Sequence, residues 1–221
     1  MYQITRKYYN SLQNVKTIYY TFSDNITTPY LLREDILYIK GKETYLPGIL
    51  DKTIKAFIYS YKYLDIDSYD YIVRTNISTI VNFNLLRHNL KLNNLDYGGS
   101  LKLTLAWLDK ASGIVDKRYW GLDYISGTAI IFSNKFFKKM VRDILYNNKK
   151  VNYSVIDDVS IGLFVRDNYP DIKLISMDNL YTDNKPYNRH TVFYRNKNEN
   201  RDNDIINMNQ IVSQLLLSKN K

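Results

Sequence analysis

The chain has 221 residues, 31 basic and 22 acidic side chains for a net charge of +9, no cysteine and two histidines. That length suits one α/β domain with a sizeable core, residues 1–221. The missing cysteines exclude disulfides, thiol catalysis and thiolate metal sites, and two histidines exclude a multi-histidine zinc site. No apolar run reaches the roughly 18 residues of a membrane span. Residues 1–20 lack the order of a signal peptide, so a soluble, cytoplasmic protein is expected. The basic charge draws polyanions such as a diphosphate. It is scattered in short pairs such as Lys138-Lys139 and forms no stripe, so no nucleic acid is expected as partner. The 22 tyrosines, with abundant Asn, Lys and Ile, read as codon bias of an AT-rich genome rather than as a base-stacking platform.

In chain order, residues 1–14 are polar and tyrosine-rich and read as a loose arm or a short helix. Val15–Phe22 is β-branched and aromatic and predicts a strand, with Ser23-Asp24-Asn25 as its exit loop. Asp35–Lys40 predicts a second strand. Thr44 to about Tyr61 predicts a helix, because Leu46, Ile49, Leu50, Thr53, Ile54, Phe57, Ile58 and Tyr61 recur at three and four with Pro47 in the first turn. Asp70–Thr75 is a third strand, followed by polar residues and a helix from about Thr79 to His88. Leu95–Leu101, with Gly98 and Gly99, reads as an interrupted strand.

Residues 102–120 are mixed, and Trp107 and Trp120 are expected to pack near a pocket wall. Tyr124–Ile131 predicts a strand opened by Ser126-Gly127. Asn134 to about Asn147 predicts a helix capped by Ser133, with Phe136, Phe137, Met140, Val141, Ile144 and Leu145 on one face. Asn152–Asp157 leads into a helix with Asp157 and Asp158 at its positive end. Ile172–Ser176 is a short strand. Residues 179–204 read as polar connection, and 205–221 as an amphipathic C-terminal helix. Alternating strands and helices imply an α/β architecture, a mixed Rossmann-like sheet flanked by helices.

Three stretches carry the chemistry and are expected to meet at one pocket. Asp70–Thr75 runs into the polar cluster Arg74-Thr75-Asn76-Ile77-Ser78, and ligands of open α/β sheets bind at such strand ends. This cluster suits a diphosphate; equally, Arg74 is a surface arginine paired with Asp70 or Asp67. Ser126-Gly127 lets a ligand approach the backbone closely, or it is a strand bulge. Asp157-Asp158 supplies a general base, or is a plain helix-cap pair. His190, ahead of Arg195, Lys197 and Arg201, is a possible metal or phosphate ligand, while His88 at a helix end is structural.

Taken in order, these pieces resemble the β-1,3-galactosyltransferase and Fringe-like glycosyltransferases of GT-A fold. The resemblance runs over roughly residues 15–204. Its pieces are Gly41-Lys42-Glu43-Thr44-Tyr45 with Asp51-Lys52-Thr53, Tyr69 through Asn82, Tyr97-Gly98-Gly99, Tyr124 through Ser133, and Asp157-Asp158-Val159-Ser160-Ile161-Gly162. It implies inverting transfer of a sugar from a nucleotide-sugar donor, by family habit a UDP-sugar, to a hydroxyl of a glycan or protein acceptor. By position Asp158 takes the acceptor proton, and Asp157 is a helix cap or acceptor ligand. Ser126 and Gly127 line the sugar pocket, Ser23 and Asp24 lie near the base, Arg74, Thr75, Asn76 and Ser78 meet the donor, and Gly98 and Gly99 keep the cleft open.

The chain departs from the family at the metal motif. Asn76 and Ser78 stand where Asp-x-Asp would hold Mn²⁺ or Mg²⁺, and neutral oxygens are far weaker ligands for a hard dication. Asn76, Ser78 and His190 are the remaining candidate metal ligands. Either Arg74 or the Arg195–Arg201 cluster then balances the diphosphate, or the scaffold is a catalytically silent carbohydrate- or nucleotide-binding module. The family is usually membrane-tethered; the lack of a tether and of cysteine points to a soluble bacterial or large-DNA-virus enzyme.

Overall fold

Strand β9, Ala129–Ser133, is apolar along its length, and a strand apolar on both faces must be covered on both. The computed structural model describes residues 1–218 and places β9 inside a four-stranded sheet. Its neighbours are β6 (Tyr97–Gly99) and β4 (Tyr71–Thr75), both antiparallel to it, and β10 (Leu174–Ser176) lies outside β6. Ile130 and Phe132 face a core built with helices α2 (Gly48–Tyr63), α4 (Asn134–Tyr146) and α5 (Asp157–Asn168). Ala129 and Ile131 face a second core with Leu86 and Leu90 of α3 (Phe83–Asn93).

Three smaller sheets surround this one. In one, β1 (Tyr19–Ser23) runs parallel to β3 (Ile36–Lys40), which pairs antiparallel with β2 (Tyr30–Arg33). In the second, β12 (Phe193–Arg195) lies between β11 (Tyr181–Asp183) and β5 (Thr79–Val81). The third joins β7 (Lys102–Thr104) to β8 (Asp123–Ile125). Helices α1 (Tyr2–Tyr9) and α6 (Arg201–Ser218) pack together over Ile80 and Tyr194. The chain is therefore a mixed α/β protein with several small sheets flanked by helices. Among the described residues no helix is long and apolar enough to cross a membrane.

Several expectations change. Of the two readings of the N-terminal segment the short helix holds, as Tyr2–Tyr9, with Tyr8 fully buried. The first strand starts at Tyr19, and a hairpin through Glu34, whose φ is 54°, adds the unexpected β2. Helix α2 starts at Gly48, where the Thr44 hydroxyl oxygen accepts the Gly48 amide at 3.0 Å. Thr79–Val81 is a buried strand, because Asn82 takes the cap by accepting from the Leu85 amide and starts α3 only at Phe83. Tyr124–Ile131 is two strands with Ser126-Gly127 in the turn between them. The polar connection 179–204 contains β11 and β12. Gly98 and Gly99 do not hold a cleft open. A Cβ on either would strike a neighbouring carbonyl oxygen, of Ile175 at 2.2 Å or of Ala129 at 2.0 Å, so they let the strands close up. The last residues assigned to the C-terminal helix, 219–221, lie outside the described residues.

Helix α5 carries the paired aspartates at its start, and its far end is tied to α4. The Asp143 carboxylate accepts from Tyr169 Oη at 2.7 Å, Lys149 Nζ at 2.9 Å and Asn147 Nδ2 at 2.5 Å. Burial works to raise the Asp143 pKa, but these donors outweigh it and hold the carboxyl down at about 2. A carboxylate depressed in the fold adds stability above its unfolded pKa and loses it as pH falls through the folded one. We expect Asp143→Asn to cost about 2 kcal/mol in urea unfolding at pH 7, the gap to wild type closing between about pH 4 and pH 2.

Candidate functional site

Arg74 is the most buried residue of β4, its side chain 8% exposed. A buried guanidinium must have its donors satisfied. Nη2 donates to Asp157 Oδ2, Nη1 to the Gly127 carbonyl at 2.6 Å, and Nε to the Tyr20 hydroxyl at 3.3 Å. Asp157, the first residue of α5, is 6% exposed. The neighbouring Asp158 stays partly exposed: its Oδ2 accepts from the Gly127 amide and its Oδ1 from the Val159 amide, each at 2.9 Å. The three stretches singled out in the sequence thus meet, through Arg74, the 126–128 turn and the start of α5.

Gly127 is required by this crowding. A Cβ there would sit 2.9 Å from Arg74 Nη1 and 3.4 Å from Asp158 Oδ2. Tyr124 seats the other side, its Cβ lying 2.5 Å from where a Cβ on Gly162 of α5 would stand. Burial opposes the charge on Arg74, but Asp157, Tyr20 and Asp158 together raise its pKa. The Asp158 pKa is raised, first by burial and then by the charge of Asp157, against the pull of the Gly127 amide and Arg74. Burial raises Tyr97 and Tyr124, and Asp158 adds to both shifts, so the two phenols stay protonated at neutral pH.

The remaining expected residues fall as follows. Asp157 does not cap the helix with its side chain: Ile156 is the N-cap residue and Arg74 takes the carboxylate. Arg74 is not a surface arginine paired with Asp70 or Asp67, and Asp67 pairs with Lys138. The Ser126 hydroxyl bonds inward, to Thr128 Oγ1 at 3.1 Å. Thr75 sits opposite Ala129 in the β4–β9 ladder. Ser23 ends β1, where its hydroxyl accepts from the Asn25 amide at 3.3 Å, and Asp24 is exposed beyond it. Trp107 and Trp120 stand on the surface, 41% and 42% exposed, with the Trp120 indole N–H donating to the Trp107 carbonyl at 3.3 Å. The Trp107 ring lies 6.3 Å from that of Tyr124.

The structure does not bring Asn76, Ser78 and His190 together as one ligand set. Asn76 Oδ1 accepts from Ser78 Oγ at 3.0 Å and from Thr79 Oγ1 at 2.6 Å, so the turn satisfies itself without a cation. His190 precedes the Asn82 end of the β5–β12 pairing, whereas Asn76 and Ser78 adjoin the Arg195 end. Its Nε2 accepts from Arg189 Nε at 3.0 Å. Among the described residues no group of three or more His, Asp or Glu side chains gathers to hold a metal ion. An open groove of about 380 Å³ lined by Leu12, Val15, Ile18, Leu32 and Tyr69 lies at the entry of β1, opposite the end where open α/β sheets bind ligands.

Tyr20 was not foreseen; among 22 tyrosines nothing in the sequence distinguishes the one whose hydroxyl reaches both Arg74 and Thr53. No protein-family model and no curated protein sequence matches the chain.

Removing Arg74 leaves Asp157 buried without its counter-charge. Arg74→Met should cost about 3–5 kcal/mol in denaturant unfolding. Arg74→Met with Asp157→Leu should recover most of it, because both charges are then gone. If the double variant is no more stable than the single one, the pair is not what holds β4 to α5.

Proposed function

We propose that the chain is a metal-independent inverting glycosyltransferase, moving a sugar from a nucleotide-sugar donor to an acceptor hydroxyl. The observation that carries this reading is Asp158, a partly exposed carboxylate fixed by two backbone amides and with raised proton affinity. It lies where a β-strand end, a glycine turn and a helix start converge. A carboxylate with raised pKa is a better base for a hydroxyl proton than an ordinary one. Each oxygen keeps a second lone pair beyond its amide contact.

In the proposed step the acceptor oxygen bonds to the anomeric carbon on the face opposite the leaving group. The bond from that carbon to the phosphate oxygen breaks, the nucleoside diphosphate departs with the electron pair, and Asp158 takes the acceptor proton. Asp157 and Arg74 act as positioning residues: their ion pair pins the start of α5 and hence Asp158. The exposed Trp107 beside Tyr124 suits stacking against a sugar ring of the acceptor.

A second reading, a silent nucleotide- or carbohydrate-binding module, is favoured by one observation. The guanidinium at the end of β4 is already committed to Asp157 and Gly127 and offers no open charge to a diphosphate. Assay against UDP-, GDP- and dTDP-sugars in EDTA separates the two. The transferase reading expects release of the nucleoside diphosphate for one donor, with Asp158→Asn lowering the rate about 10²–10⁴-fold while the fold is kept. Because the base must be ionised, kcat/KM should fall as pH drops through a pKa above the ordinary aspartate range. Full activity in Asp158→Asn overturns the assignment, and donor binding with no turnover in wild type selects the silent module.

A further inference from the structure

Arg74, committed to Asp157 and Gly127, leaves no open charge for a departing diphosphate, and three other arginines stand toward the end of β4. Arg201 is exposed and serves Asp204 at 2.9 Å. Arg189 is turned to His190. Arg195 differs from both. It stands on β12 directly opposite Thr79 of β5, and residues directly opposite in an antiparallel pair carry their side chains on one face with Cβ atoms about 5 Å apart. Thr79 Oγ1 in turn donates to Asn76 Oδ1 at 2.6 Å. The Arg195 side chain is therefore a neighbour of the very turn whose Asn76 and Ser78 replace a metal motif.

The Arg195 position is fixed by its neighbours. Asn196, fully buried, donates its amide to the Ser78 carbonyl at 2.8 Å and accepts from Asn207 Nδ2 of α6 at 2.5 Å. Asn184, just past β11, donates its amide to the Arg195 carbonyl at 2.8 Å. The guanidinium is incompletely used. Its side chain is 27% exposed, its Nε is buried without a hydrogen-bond partner, and its nearest carboxylate oxygen, on Asp183, is 3.9 Å from Nη1. The Tyr181 hydroxyl interacts with both Arg195 and Asp183. Nη1 to Asp183 is too long for a hydrogen bond, so the guanidinium keeps donor capacity for an anion with better geometry.

We infer that Arg195 forms the diphosphate-binding site of this chain and supplies from β12 the positive charge that a divalent cation would otherwise bring to the β4–β5 turn. This rests on the transferase reading for its natural ligand, a nucleoside diphosphate. The anion site itself is tested apart from turnover. A phosphate oxygen pair accepts from the guanidinium fork as a carboxylate does, and Asp183 is the internal competitor that such a ligand displaces.

The test is calorimetric titration with inorganic pyrophosphate in EDTA at low salt, run beside an assay of nucleotide-sugar turnover. Wild type should bind, and Arg195→Gln should weaken binding at least tenfold. Arg195→Lys should weaken it less, since the charge remains and the fork is lost. Asp183→Asn should tighten it several-fold by removing the competitor. Arg118→Gln, at a surface arginine paired with Asp116, is the control and should bind as wild type does. If Arg195→Gln does not fold, the lysine and Asp183 variants decide the matter. Absence of pyrophosphate binding in wild type, or equal binding in the Arg195 variants, overturns the inference. Arg195-dependent binding without turnover of any donor upholds the anion site and removes the transferase reading. Undiminished turnover in Arg195→Gln upholds the transferase reading and overturns the role of Arg195 in it.

Discussion

The buried ion pair of Arg74 and Asp157 is the interaction on which the arrangement of the site depends. Taking both charges out of water is costly, and only good geometry with the remaining donors satisfied offsets it. Here the guanidinium serves a carboxylate on α5, a carbonyl in the β8–β9 turn and a hydroxyl on β1 at once. The pair therefore ties these three elements together at one point, beside the apolar packing of Tyr124 against Val159 and Leu163. Both backbone polar groups of Gly127 are used: its carbonyl accepts from Arg74 and its N–H donates to Asp158. One residue's backbone therefore joins the buried pair to the partly exposed carboxylate beside it, and a Cβ at position 127 would crowd Arg74 Nη1 at 2.9 Å.

What the sequence made legible were the features with local physical signals. The apolar period of Phe136, Phe137, Met140 and Val141, with Ser133 accepting from the Phe136 amide, defined α4 nearly to the residue. The apolar residues after Asp157-Asp158 defined the start of α5. The convergence of the three polar stretches also followed from local reading, because each is a strand end or helix start and such ends collect at one edge of an α/β sheet. The pairing inside that convergence did not. Arg74 and Asp157 are 83 positions apart, and nothing local chooses Asp157 over Asp67 or Asp70 as the partner.

The short strands were hidden for a related reason. Thr79–Val81 and Phe193–Arg195 have three residues each, too few to express a period, and they are strands because they pair with each other across more than a hundred positions. Reading Thr79–His88 as one helix was the natural outcome of an apolar run. The Asn82 cap divides it, and that division also brings Arg195 to the end of β4. The error in secondary structure and the hidden position of Arg195 beside this turn are thus one fact: a tertiary pairing that no local window contains.

The β4–β5 turn shows why a neutral pair and a cationic strand belong together. Two carboxylates at positions 76 and 78 would repel one another, a repulsion that a bound cation would relieve. Asn76 and Ser78 remove that repulsion, and the asparagine oxygen is satisfied by the Ser78 and Thr79 hydroxyls of its own turn. A turn of this kind is stable with no ion, but it also carries no positive charge toward an anionic ligand. In a chain of net charge +9 the counter-charge can be built into the fold instead. It need only stand on an adjacent strand, held by neighbours such as Asn196, with its own carboxylate partner too distant to saturate it. Arg195 meets each of these conditions and Arg74 fails the last. On the proposed reading the division of labour is physical: the arginine on β4 organises the site, and the arginine on β12 keeps donor capacity for an anion.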